Sequence, residues 1–416
     1  MNRLTWIAIG ALIIVSAVLR HQLLFLMGII LALLALVSAV WARYCLHGVS
    51  YRRHFSARRL FFGDDMEMRI EVVNAKPIPL AWFRADDEIP AVLTDEAASG
   101  ATGRRRLVNV LSLRWYELVT RRYQMHGGQR GVWRFGPAQL RSGDLFGFDI
   151  RRAAMERNDY ILVYPKVVPI VELGLPARHP FGEEKSNLRI FEDPMRLMGA
   201  REYSSGDSFR FVHWKATARR QALQTKVFEP SSTRPVAIFL NVSTHEFYNE
   251  GQDWELMEYA ICAAASVGKY VWENGYAVGL YANAWLAHVD QATDDAETEG
   301  DAKKLRSGRV RIMPRRHPSQ LTHMLEALAR INERGRWSLE VLLELESRDL
   351  PFGATLVVIS AVVNRRLQLA LADLRRKGFG VTLITLGEEE PQLLLPGVTT
   401  YHIGGKERWQ GLTQLM

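Results

Sequence analysis

The amino terminus limits what this chain can fold into more than any other stretch. Positions 4–19 form a 16-residue run without a charged side chain, and 23–42 a second run of 20, with Arg20, His21 and Gln22 between them. Spanning a bilayer takes about 20 apolar residues, with a lower limit near 17. The second run meets that length. The first falls short and needs Asn2, Arg3 and Arg20 as snorkelling ends. The pattern predicts a transmembrane α-hairpin over 1–45. A secretory signal peptide or a single-span anchor are the competing readings. A signal peptide, however, has one apolar core and a small-residue cleavage site, not two cores in tandem.

Charge distribution carries the next inference. The formal net charge is +8, which could suggest nucleic acid. Residues 1–63 contain no Asp, Glu or Lys and seven arginines, at 3, 20, 43, 52, 53, 58 and 59. Setting those aside leaves 46 basic against 45 acidic residues over 64–416. A near-neutral remainder excludes a nucleic-acid footprint. The arginines from 43 to 59 are expected to stay in the cytoplasm, so the multi-pass reading places the soluble bulk there. The two cysteines, Cys45 and Cys262, are too few for a disulfide framework or a cysteine zinc site. At about 150 residues per domain the length predicts two or three domains.

From 46 to 168 the pattern is short strands and turns. Glu67, Arg69 and Glu71 alternate with Met68, Ile70 and Val72, a period of two expected of a half-buried strand. Further strands are expected at 80–85, 106–113, 117–125 and 131–135, a spacing that suits an all-β sandwich-like domain. No catalytic cluster falls in it.

Residues 169–232 read as a connecting segment with a dense motif at 200–219. Its charged, aromatic and glycine residues include Arg201, Glu202, Tyr203, Gly206, Asp207, Arg210, His213, Trp214, Lys215 and Arg219. Ser205-Gly206-Asp207 reads as a tight turn, with Asp207 capping a helix from Ser208 or Phe209. On that helix Arg210, His213 and Trp214 would share a face. Three readings stand. Arg201, Glu202, Asp207 and Arg210 could clamp a segment onto a domain. The motif could dock a partner. Or His213 could act as a base, with Arg201, Arg210, Lys215 and Arg219 binding an anion. No phosphate loop, metal-ligand set or nucleophile elbow accompanies it, so no catalytic residue and no cofactor is assigned.

From 233 to 416 apolar strands alternate with amphipathic helices. Strands are expected at 235–241, 276–282, 354–363 and 380–386, and helices at 253–273, 318–332, 337–347 and 365–377. The acidic stretch 290–301 reads as a mobile loop. This βαβ rhythm predicts an α/β doubly wound sheet, whose ligands sit beyond the carboxyl ends of the strands.

On the 201–229 motif, the upstream Arg130-Gly131 and Gly136-Pro137 peptides and the α/β region after them, the sequence resembles the domain-of-unknown-function family fifty-eight. These are bacterial membrane proteins with a von Willebrand factor A-like domain. The resemblance implies a von Willebrand A-like fold for 233–416, the bacterial inner membrane, and a MoxR-type AAA ATPase as partner. It implies no established activity. The family's Asp-Pro-Phe-Gly peptide reads Asp144-Leu145-Phe146-Gly147 here. Metal-binding von Willebrand A domains hold Mg²⁺ through an Asp-x-Ser-x-Ser pattern and a later Asp. Those positions fall on Asn241, Ser243, His245 and Ser360, so two anionic ligands are missing and no metal is expected. Capping of strand-to-helix turns is the alternative role for these polar residues.

The resulting expectation is a membrane-anchored, cytoplasmic-facing adaptor or scaffold, not an enzyme, docking a MoxR-type AAA ATPase for protein-complex assembly or maturation. The alternatives are an envelope-related hydrolase using His213 with Asp207 or Glu202, and an ATPase-independent peptide-binding assembly factor.

Overall fold

The computed structural model describes residues 3–94, 103–144, 149–170, 192–204, 212–230, 235–246, 251–287, 308–351, 353–391 and 395–405, the side chains of 3–5, 192–198 and 227–230 excepted. Gly206, Asp207, Arg210, the 145–147 peptide and the acidic stretch 290–301 lie outside these residues. Two units form, Met1–Lys166 with Val289–Gln291, and Val167–His288 with Ala292–Met416.

The apolar N-terminal runs fold as α1 (Arg3–Val18) and α2 (Gln22–Tyr44), which pack against each other. Gly28 lets Ile13 approach closely: a Cβ on Gly28 would stand 2.8 Å from the Ile13 side chain. Among the described helices, α2, at 23 residues, is the one long and apolar enough to cross a membrane. At 1.5 Å per residue the 16 residues of α1 reach about 24 Å, short of the roughly 30 Å hydrocarbon core. The two-span hairpin is therefore not supported, because snorkelling ends do not make up the missing turn.

The strands of the first unit build two main antiparallel sheets. One has the order β1-β3-β6, from Val49–Phe55, Asp65–Asn74 and Leu118–His126. The other has the order β5-β4-β8-β9, from Arg104–Leu113, Leu80–Pro90, Ala138–Gly143 and Ile150–Met155. A small third sheet joins β2 (Arg59–Leu60), β10 (Asp159–Val163) and β7 (Gly131–Phe135). The alternation read in 67–72 is that of β3, whose Met66, Met68, Ile70 and Val72 are buried. They share one core with Phe83 and Ala85 of β4 and Phe135 of β7.

The same alternation on β1 points Tyr51 and Arg53 inward. Arg53 is thus no juxtamembrane surface charge, correcting its place in the arginine cluster. It pairs bidentately with Asp87, Nε to Oδ2 and Nη2 to Oδ1, both at 2.7 Å. Its Nη1 donates to Asp159 Oδ2 at 3.2 Å and to the Arg157 carbonyl at 3.1 Å. Tyr51 donates its hydroxyl to Asp87 Oδ2 at 2.8 Å. Gly136 (φ +95°) closes the nest, since a Cβ there would stand 2.9 Å from both Arg53 Nη2 and the Arg157 carbonyl.

Burial and the neighbouring Asp87 charge raise the Tyr51 hydroxyl pKa, and burial pushes Tyr281 in the second unit up to about 12. The folded chain therefore keeps these protons at a pH where unfolded tyrosines, with pKa near 10, have lost them. Their stabilisation is full below about pH 10 and declines above it. Unfolding free energy should fall between about pH 10 and 12, and Tyr51→Phe should flatten that slope. An unchanged slope in the variant would remove Tyr51 from the account.

In the second unit β13 (Val236–Leu240), β14 (Val278–Ala282), β16 (Val310–Arg315), β18 (Thr355–Ser360), β19 (Gly380–Thr385) and β20 (Thr399–His402) form a six-stranded sheet. Its order is β16-β14-β13-β18-β19-β20, parallel except for β16. Every residue of β13, β14 and β18 is buried, as a parallel sheet covered on both faces requires. On one face lie α4 (Trp254–Glu273) and α5 (Gln320–Arg330), whose Met324 meets Gly268 of α4 over Ile238. On the other lie α6 (Leu339–Glu346) and α7 (Arg365–Arg376), packed on Ala237, Phe239, Leu356 and Val358. The sheet is doubly wound. The helix expected to run to 332 stops at Arg330, because Ile331–Arg334 (β17) pairs with Ala284–Leu286 (β15).

Candidate functional site

The chain crosses from β13 to β14 on one side and, after β16, returns to β18 on the other side of β13. The gap between β13 and β18 is therefore the topological switch point, where such sheets place their ligands. Asn241 follows β13 and Ser360 ends β18, and the structure joins them: Asn241 Nδ2 donates to Ser360 Oγ at 2.9 Å. Ser243 is held to the same group, its backbone N–H donating to Asn241 Oδ1 at 3.1 Å.

A fourth member, which the sequence did not single out, sits at the centre. Asn283, fully buried after β14, donates from Nδ2 to Asn241 Oδ1 at 2.9 Å and accepts the Val242 N–H at 2.8 Å. An asparagine directly after an apolar strand was the signal that could have found it. Ser360 Oγ also donates to the Val362 carbonyl at 2.6 Å and accepts its N–H at 3.2 Å.

His245 stands apart from this group, 3.1 Å from Thr244 Oγ1. Thr244 in turn accepts the N–H of Asp253, the N-cap of α4.

These residues do not fit a divalent cation. The donor set is neutral, and Asn241 Oδ1, the oxygen at the first ligand position, already accepts two N–H groups. A hard cation needs oxygens free to turn toward it and usually carboxylates. Among the described residues no group of three or more His, Cys, Asp or Glu could hold a metal. What the arrangement does is satisfy buried polar groups and lock three strand ends together.

The described residues of the 200–219 motif lie on a hairpin and the short helix within it. Strands β11 (Glu192–Glu202) and β12 (Gln224–Pro230) pair antiparallel, with Arg201 opposite Thr225 and Glu202 opposite Gln224. Tyr203 continues the ladder, its N–H donating to the Leu223 carbonyl at 2.9 Å. The helix expected from Ser208 or Phe209 is seen as α3 (Trp214–Arg220), and His213 precedes it as N-cap. His213 therefore does not share a helix face with Trp214. Its Nδ1 accepts the Ala216 N–H at 3.2 Å, which satisfies one of the free donors of the first turn. Among the described residues, Glu202 included, no carboxylate pairs with His213; Asp207, the other partner of the hydrolase reading, lies outside them. None of α3 is buried; Trp214 is 68% exposed, and Lys215 and Arg219 are exposed beside it.

Residues 199–379 match the family described as protein of unknown function DUF58. The matched stretch runs from the end of β11 through α3, β13, the Asn241–Asn283–Ser360 group and α7. It leaves out both N-terminal helices and the first unit's sheets. The uncharacterized protein YeaD of Bacillus subtilis is 25% identical over 247 residues, 59% of this chain. The chain spans 58% of that protein's length.

Likeness to solved structures is slight. A β-glucosidase of Erythrobacter marinus is 11% identical over 28% of this chain and 15% of its own, with a TM-score of 0.17. A CARDB domain from Pyrococcus furiosus is 13% identical over 28% of this chain and 89% of its own, with a TM-score of 0.18. The C-terminal domain of wzt is 9% identical over 29% of this chain and 75% of its own, with a TM-score of 0.21. Scores this low carry no argument.

Proposed function

We propose that this chain is a membrane-anchored adaptor. Helix α2 is its anchor, and its two units face the cytoplasm. A MoxR-type AAA ATPase docks on it for the assembly or maturation of protein complexes. With this reading go a von Willebrand A-like identity for 233–416 and the role of 169–232 as the connecting, partner-binding segment. The observation that carries it is α3, a helix of the matched stretch that buries none of its side chains and holds a tryptophan in solvent beside cations. Exposed Trp and Arg are the residue types that dominate binding energy at interfaces. The polar group at the strand ends, by contrast, is internally satisfied and serves as rigid support.

The test is affinity purification of the full-length protein in mild detergent, with and without ATP. An AAA ATPase should co-purify in a nucleotide-dependent yield. Trp214→Ala should lower that recovery about tenfold or more, on the scale of a hot-spot tryptophan at roughly 2 kcal/mol, with no change in melting temperature. Recovery of no ATPase under either condition would sink the proposal.

A further inference from the structure

Strand register puts one end of the first unit's sheets together. Val49 of β1 pairs with Asn74 at the end of β3, and Val73 with Leu118 at the start of β6. Leu80 at the start of β4 pairs with Leu113 at the end of β5, and Gly143 of β8 with Ile150 of β9. The exit of α2 joins the same pole. Ser38 of α2 donates to the buried Asp144 at 2.7 Å, and Lys76 Nζ donates to the Cys45 carbonyl just past the helix at 2.6 Å. Tyr116 N–H donates to the Lys76 carbonyl at 3.3 Å, which fixes the β5–β6 turn beside the helix end.

That pole exposes several large apolar side chains. Trp115 is 65% exposed, Tyr116 69%, Leu118 56%, Ile150 51% and Tyr44 46%. Of the described residues at the opposite pole, Phe61 is the large hydrophobic left exposed. Tyr116 also holds a left-handed backbone (φ +50°), a conformation that favours glycine or asparagine, so an aromatic side chain there is kept at a cost. Exposed Trp and Tyr beside the end of an apolar helix are the side chains that settle at a membrane–water boundary. Arg43 and Arg114, both exposed, stand at the same level for lipid phosphates.

We infer that this pole of the β-sheet unit is seated in the headgroup layer of the bilayer that α2 enters, with Trp115 and Tyr116 as its interfacial anchors. The inference rests on α2 being a membrane anchor. Its occupant follows from continuity, because the exposed apolar surface of α2 runs directly into the pole.

The test uses the full-length protein in phosphatidylethanolamine–phosphatidylglycerol vesicles. An environment-sensitive fluorophore is placed singly by Trp115→Cys, Leu118→Cys, Leu31→Cys and Gln129→Cys. Cys45 and Cys262 are buried and stay unlabelled in the folded protein. Labels at 115 and 118 should be quenched by shallow lipid-borne quenchers and several-fold less by aqueous iodide than the label at 129, on the opposite pole. The label at 31 should be shielded from iodide. Iodide quenching at 115 and 118 equal to that at 129, with 31 still shielded, would overturn the inference and leave the anchor standing. Iodide access at 31 as well would overturn both.

Discussion

Replacing Arg53 with Met should cost about 3–5 kcal/mol of unfolding free energy, the scale for removing one partner of a buried ion pair. The side chains of Arg53 and Asp87 are fully buried and that of Asp159 nearly so. Without the guanidinium, Asp87 would remain in the core with only the Tyr51 hydroxyl, and Asp159 with the outer arginines Arg157 and Arg58 at 3.7 and 4.0 Å. Arg53→Lys should recover less than half of the loss, because an ammonium cannot make the paired contacts to Asp87 and also reach Asp159. The measurement is the urea midpoint of the β-sheet unit in the detergent-solubilised full chain. A loss under about 1 kcal/mol in the Met variant would mean that the carboxylates take up protons or water at little cost.

The second large effect is expected at Asn283. Asn283→Ala strips the acceptor from a buried Val242 N–H and one donor from Asn241 Oδ1. An unsatisfied buried group costs about 1–3 kcal/mol, so the variant should lose roughly 2–4 kcal/mol. Asn283→Asp keeps the acceptor for Val242 but replaces the Nδ2 donor with an oxygen facing Asn241 Oδ1, so it should recover little. If Asn241→Ala and Asn283→Ala prove additive in the double variant, the two amides do not act as one unit and the network account fails.

These two sites also mark how far the sequence was legible. Local patterns were read correctly where the cause is local. Met68, Ile70 and Val72 face one way because a strand has period two. The 354–363 run is apolar because β18 is covered on both faces. What escaped was set by partners distant in sequence. Arg53 looked like a membrane-flanking charge, since Asp87 and Asp159 lie 34 and 106 residues away and only strand pairing brings them in. Asn283 meets Asn241 across 42 residues. His213 was placed inside a helix by its spacing to Arg210 and Trp214, although its side chain bonds the helix start and so stands outside it. Strand β16 went unread because its six residues lie at a sheet edge and include Pro314, a residue that edge strands tolerate.

The docking of α2 into the β-sheet core has a consequence for how the protein is made. The helix leaves the ribosome before any of these strands exists, so, if it is the proposed anchor, it meets lipid while its own last turns lack their tertiary neighbours. The Cys45 carbonyl waits for Lys76, 31 residues behind it, and Ser38 waits for Asp144, 106 residues behind. On the anchor reading proposed above, the sheets close onto a helix already inserted, at the bilayer surface. A chain whose helix misses the translocation machinery would also miss a wall of its own core, leaving Asp144 and Lys76 buried without these bonds. On that reading failed targeting and failed folding become a single event, and the product is one that cellular proteases can recognise.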